Sequence, residues 1–143
     1  MRYDLTLANQ LSTLWSMKIV IGCSMKYRDL VRQTMKDLEA LGITPLFPNL
    51  DYSTENKDDA NTPEEKKRLA LEHYAAIDEA DNVYLITPDG YMGTSLKLEL
   101  GYAIAKRKPI YFSEPTNDIG LDCYVEEFIP TNNLRSFLEI CEG

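Results

Sequence analysis

The stretch that most constrains this chain runs from Asn82 to Ala103. Asn82-Val83-Tyr84-Leu85-Ile86 is an apolar run of the length and composition of a buried strand. Pro88-Asp89-Gly90-Tyr91-Met92-Gly93 follows as a turn, and Thr94-Ser95-Leu96-Lys97-Leu98-Glu99-Leu100-Gly101-Tyr102-Ala103 then reads as a helix. Strand, glycine-bearing loop and helix in that order place backbone N–H groups and a helix N-terminus at the carboxyl edge of a sheet. Glu99 stands between Leu98 and Leu100, one turn past that loop, and a carboxylate so placed needs either a cation or a chemical task.

The remaining elements fall into the same rhythm. Lys18-Ile19-Val20-Ile21 reads as a first strand ending in Gly22-Cys23-Ser24-Met25-Lys26. A helix from roughly Tyr27 to Leu41 follows, with Leu30, Val31, Thr34, Met35, Leu38 and Leu41 on one face and Gly42 as its C′ residue. Ile43 to Pro48 is a short strand, placed at a sheet edge because Pro45 cannot donate to a ladder. Asp51 to Asn61 is polar and reads as a loop or lid. Thr62-Pro63-Glu64-Glu65 is a helix start with Thr62 as N-cap and Glu65 as its capping-box partner. That helix runs to about Glu79, and Leu69, Ala70, His73, Ala76, Ile77 and Ala80 form its inward stripe.

After the central stretch, whose helix extends to about Lys106, Pro109 to Phe112 is another strand. Ser113 to Leu121 is turn-rich, and Glu127 to Pro130 is an edge strand. A closing helix carries Leu134, Phe137, Leu138 and Ile140 on one face. The order βαβαβαβ(β)α implies a parallel sheet covered by helices on both sides. The expected fold is α/β: a three-layer, flavodoxin-like (Rossmann-like) doubly wound sheet of about five strands, with ligands at the strand carboxyl ends. Residues 1–16 read as an N-terminal extension, with Trp15 available to pack on a neighbouring subunit, and 17–143 as a single domain.

Composition narrows the function classes. A formal net charge of −8 over 143 residues is unsuited to wrapping nucleic acid or an anionic membrane, and no apolar run reaches the length of a membrane span. Cys23, Cys123 and Cys141 have neither metal-ligand spacing nor an even count, which points to a reducing, cytoplasmic setting with no metal and no disulfide framework.

Two loops are expected to meet where the strand order reverses: Gly22–Lys26 and Thr87–Ser95. Neither is a Walker loop or a dinucleotide fingerprint. They offer small residues, free N–H groups, the hydroxyls of Ser24, Thr94 and Ser95, and the cation of Lys26, a set suited to a monophosphate or a cluster of sugar hydroxyls. Ordinary turn and capping chemistry would use the same residues. Ser95 and Glu99 lie four apart on one helix face. A carboxylate there can attack a sugar's anomeric carbon, although a helical Glu is more often a solvated surface residue.

These residues resemble the nucleoside 2-deoxyribosyltransferase family, which includes nucleoside 5′-monophosphate N-glycosidases. The resemblance is carried by Ala80-Asp81, by Gly90-Tyr91-Met92-Gly93-Thr94-Ser95, by Glu99-Leu100-Gly101-Tyr102-Ala103 and by Lys108-Pro109-Ile110. Ile19-Val20-Ile21-Gly22-Cys23-Ser24-Met25 extends it to the first strand and its loop. It implies an enzyme that cleaves or transfers the N-glycosidic bond of a (deoxy)nucleoside or its 5′-monophosphate through a covalent glycosyl-Glu99 intermediate, without a cofactor. It also implies that Gly22, Ser24 and Lys26, together with Gly93, Thr94 and Ser95, hold phosphate or sugar, and that Tyr91 and Met92 flank the base. Homodimers or larger assemblies are implied as well.

Members of that family carry an Asp in the helix before the third strand. His73 occupies that position here, and histidine can donate or accept a proton near neutral pH. Its neighbour Tyr74 is a further candidate for the site, and Asp89 is a candidate second carboxylate, although Asp-Gly in a turn is mostly structural. Two competing readings are a nucleotide-binding or sensing module that kept the fold without turnover, and a flavodoxin-like domain for an unrelated small phosphate.

Overall fold

The computed structural model describes residues 17–48, 50 and 62–142. The expectations for the 1–16 extension, for Trp15 and for the Asp51–Asn61 loop lie outside those residues. Five parallel strands form the sheet: β1 (Lys18–Gly22), β2 (Thr44–Leu46), β3 (Asn82–Leu85), β4 (Ile110–Phe112) and β5 (Glu127–Phe128). Their order is β2-β1-β3-β4-β5, so the chain reverses direction of travel between β1 and β3. A doubly wound sheet opens its ligand crevice at that point.

Strand alternation decides the layers. Ile19, Ile21, Tyr84 and Tyr111 point to one face, where they meet Val31 and Leu38 of α1 (Arg28–Ala40) and Phe137 of α5 (Ser136–Glu142). Val20, Val83, Leu85, Ile110 and Phe112 point to the other face. There they meet Ala76 and Ile77 of α2 (Pro63–Glu79) and Leu96, Leu100 and Ala103 of α3 (Thr94–Ala105). Both faces are covered, which is why the strands read as continuous apolar runs. Burying each large side chain contributes about 1.5–3 kcal/mol.

β2 is an edge strand, as Pro45 required; Pro45 stands opposite Ile19 in the ladder. Gly42 ends α1 at φ 81°, a left-handed conformation that glycine adopts without steric cost. Thr62 caps α2, accepting from the Glu65 N–H at 3.1 Å. Several boundaries differ from expectation. A 3-10 turn over Met25–Tyr27 precedes α1, so the helix starts at Arg28 rather than Tyr27. A four-residue helix, α4 (Ile119–Asp122), lies at the end of the stretch read as turns. Its start is fixed by Asp118, whose carboxylate accepts from the Gly120 N–H at 2.9 Å. So short a segment carries no periodicity to read. The closing helix begins at Ser136, after Leu134.

Buried polar groups tie the layers together. The Tyr84 hydroxyl, beneath α5, donates to the Ile129 carbonyl, and burial pushes its pKa well up. Tyr84→Phe leaves that carbonyl unpaired and is expected to cost about 1–2 kcal/mol, read as a lower denaturant midpoint with an unchanged slope. At the carboxyl ends, the Thr87 N–H donates to Ser113 Oγ at 2.8 Å and the Thr87 hydroxyl donates to the Glu114 carbonyl at 2.7 Å. These bonds fix the loop that leads to α3.

Candidate active site

The loops after β1 and β3 meet at the reversal point, as their topology required. Lys26 Nζ sits 3.6 Å from the centroid of the Tyr91 ring, and the Tyr27 and Tyr91 rings lie 6.4 Å apart. A cation over an aromatic face is a favourable contact, so Lys26 links the two loops. Beneath this contact opens a cleft of about 660 Å³, within the range of small-molecule sites. Its walls come from five places: Cys23 and Ser24 after β1, Phe47 after β2, the inner side of α2, Tyr91 in the loop after β3, and the start of α3.

Two titratable side chains face each other on the floor. Glu99 comes from α3 and His73 from α2, with Glu99 Oε2 at 3.6 Å from His73 Nε2. Their side chains are 14% and 10% exposed. Glu99 Oε2 is buried with no hydrogen-bond partner among the described residues. Burial pushes the Glu99 carboxyl up to about 8, against a smaller downward pull from the Lys66 cation. Burial pushes His73 down to about 4, opposed by a hydrogen bond with the Ile21 backbone. Desolvation disfavours the charged form of each group.

The neighbours that enclose Glu99 are not those adjacent in sequence. Leu98 is 59% exposed. The enclosure comes from the end of β1, from β3 and from the first turn of α3: a Cβ built on Gly22 would stand 2.8 Å from Glu99 Oε2, 2.6 Å from Leu85 Cδ2 and 2.7 Å from Leu96 Cδ1. Gly22 therefore admits the carboxyl to the end of β1. Above it, α3 starts at Gly93 with no side-chain cap, and Gly93, Thr94 and Ser95 line the cleft. The uncapped N–H groups of this first turn are suited to an anion.

No protein-family model and no curated protein matches this chain by sequence. Solved structures do match it in shape. A 2-deoxyribosyltransferase of the psychrotolerant bacterium Bacillus psychrosaccharolyticus aligns over 82% of this chain and 89% of its own, with a TM-score of 0.60 and 21% identity. The fold is that of a 2-deoxyribosyltransferase. A conserved protein of Enterococcus faecalis V583 shares it, with a TM-score of 0.56 and 14% identity over 89% of this chain and 98% of its own.

Within this deoxyribosyltransferase fold the sequence candidates separate into groups. Glu99, His73, Ser24, Tyr91, Gly93, Thr94 and Ser95 line the cleft, as does Tyr74. Lys26 stands beside it on Tyr91, and Gly22 lies behind Glu99. Met92 is 7% exposed and belongs to the apolar core with Leu96 and Leu100, not to the cleft wall. Asp89 takes a left-handed φ of 53° in the turn and is likewise absent from the lining. Its role there is conformational, since Asp tolerates that region better than most residues.

Sequence reasoning missed Phe47, Lys66 and Lys67 on the cleft wall. Phe47 is held edge-on to the His73 ring, with centroids 5.4 Å apart. Lys66 sits seven residues before His73, two turns up the same helix face, and that spacing was the available signal; Lys67, six residues before it, had no such signal. Among the described residues no group of His, Cys, Asp and Glu is placed to hold a metal ion, and no helix is long and apolar enough to cross a membrane.

Proposed function

We propose that this chain cleaves or exchanges the N-glycosidic bond of a (deoxy)nucleoside or nucleoside 5′-monophosphate, with Glu99 as the nucleophile. One observation carries the reading. A buried carboxyl, without a hydrogen-bond partner for Oε2 among the described residues, lines the strand-end cleft of a fold shared with a 2-deoxyribosyltransferase. An ionised Glu99 attacks the anomeric carbon as the base departs, forming a glycosyl ester. Water then completes hydrolysis, or a second base completes transfer.

A monophosphate is the favoured substrate class, with hydrolysis as the outcome. The support is the arrangement of groups around the carboxyl. Ser24, Thr94 and Ser95 present hydroxyls, and α3 presents its N-terminus. Lys66 and Lys67 line the cleft, and Lys26 stands next to it. In a chain of net charge −8, lysines gathered around one cleft favour an anionic ligand.

A second reading is a nucleotide-binding module without turnover. It is favoured by the shift of Glu99 to about 8, which leaves most of the carboxyl protonated at neutral pH. One screen separates the two: nucleosides and their 5′-monophosphates are assayed for free base with wild type and Glu99→Gln. The enzyme reading expects base from at least one substrate with wild type and none with the variant. Calorimetric binding with no free base from wild type would establish the binding module instead.

A further inference from the structure

We propose that His73 accepts the proton of Glu99, so that the two side chains act as one acid–base pair holding a single proton at the floor of the cleft. The proposal rests on the reading of Glu99 as the nucleophile. It stands on geometry: His73 Nε2 faces Glu99 Oε2 at 3.6 Å, across a contact between two largely buried side chains. That oxygen has no hydrogen-bond partner among the described residues, and both residues line the same cleft. The imidazole is held by the edge contact with Phe47 and by its hydrogen bond with the Ile21 backbone, so its orientation is set by packing.

A buried imidazole that served only the core would not need to face a carboxyl. A buried carboxyl that served only as nucleophile would need its charge stabilised in an apolar shell, at considerable cost. The pair removes that difficulty. The proton leaves Glu99 and forms the N–H bond at His73 Nε2, so carboxylate and imidazolium arise side by side. The carboxylate then bonds to the anomeric carbon as the C–N bond breaks. The electron pair of that bond goes to the base nitrogen, which takes the proton from the imidazolium. A glycosyl ester and a neutral imidazole remain. Water attacks the ester in the second half-reaction, His73 takes its proton, and Glu99 departs as a carboxylate that regains that proton. Charge in the site is balanced at each stage.

Among the described residues, the titratable groups facing the pair are Cys23 from the β1 loop, Lys66, Lys67 and Tyr74 from α2, and Tyr91 from the β3 loop. Lys66 favours the Glu99 carboxylate, and burial, with a smaller contribution from that carboxylate, raises the Tyr74 phenol. With Glu99 up at about 8 and His73 down at about 4, the pair holds one proton between those values. Both steps belong to the pair rather than to either residue alone.

His73 is the sole histidine of the chain, so its ring nitrogens are read without ambiguity by ¹⁵N NMR on the full-length protein, with no substrate present. The expected result is a neutral ring with bare Nε2 near pH 6. It should shift in two steps, near 4 and near 8, and Glu99→Gln should remove the upper step. A neutral ring with its one proton on Nε2 near pH 6, or no upper step in wild type, would overturn the proposal.

Turnover supplies the second readout. For wild type, kcat/KM for base release should be bell-shaped between those two values. His73→Gln should lower it by about 10²–10⁴-fold near pH 6 and replace the bell with a rise toward alkaline pH. A bell retained in His73→Gln would also overturn the proposal. Absence of base release from every substrate would instead remove the glycosidic reading, and the ring titration would still decide the pair.

Discussion

Glu99→Gln is expected to lower base release by about 10³-fold or more, the scale of losing a nucleophile, and to make the folded protein more stable at alkaline pH. The second effect follows from linkage. In the unfolded chain the carboxyl ionises near its ordinary value of 4.5, whereas in the folded chain it keeps its proton up to about 8. Between those values the folded state binds more protons than the unfolded state, so stability falls as pH rises. Above about 8 both states are ionised and the loss is complete. Glutamine has no proton to lose, so the gain in Tm should be absent near pH 4, grow through neutrality and level off above pH 8. The shift corresponds to a few kcal/mol, on the order of 1.4 kcal/mol per pKa unit. Thermal melts at several pH values measure it. Activity lost without this pH-dependent gain would mean that Glu99 is not desolvated as described. His73 acts on the acid side: its folded value near 4 lies below the ordinary 6.5, so wild type should lose stability as pH falls from 6.5 toward 4.

The second large effect is expected at Gly22. Its backbone has no left-handed φ, so conformational freedom is not the reason for glycine there. Room is the reason. An added Cβ would stand 2.6 to 2.8 Å from Leu85, Leu96 and the Glu99 carboxyl, closer than real Cβ contacts come. Gly22→Ala must push α3 or its side chains away from β1, at about 1–3 kcal/mol for overpacking. Misplacing a reacting group by an ångström costs about 10²-fold in rate, so the variant should lose activity beyond what its stability predicts. Gly101, in α3, is the control. Among the described residues a Cβ there meets nothing within 4 Å, so Gly101→Ala should stabilise the helix by about 0.5–1 kcal/mol. Denaturant titration of the two variants should give opposite signs.

The fold was readable because each strand and helix declares itself locally. Pro45 marked an edge, Thr62 a helix start and Gly42 a helix end, and the strand–helix alternation left few topologies open. The short helix at Ile119 was not readable, since four residues show no period. The candidate cleft was legible where its lining lies on one element: Ser95 and Glu99 both line it from α3, and His73 lines it from the inward stripe of α2. What failed depended on contacts between distant elements. Met92 sits beside the glycine turn in sequence, yet it closes the core beneath the sheet. The close packing of Gly22 against Glu99 and two leucines was likewise invisible in a stretch that read only as a loop for phosphate or sugar. Leu98 and Leu100 suggested an apolar shell around Glu99, but Leu98 is an exposed part of the cleft lining and the enclosure at Gly22 comes from Leu85 of β3 and Leu96 of α3. No local pattern encodes which residue a helix meets across a sheet.

The most direct test of the account is to trap the intermediate. Wild type turning over its best substrate is quenched in acid, digested and mapped by mass spectrometry. The account predicts a sugar or sugar-phosphate adduct on the peptide that carries Glu99, and no adduct in Glu99→Gln. A sugar adduct on any other residue, or base release undiminished in Glu99→Gln, would contradict it.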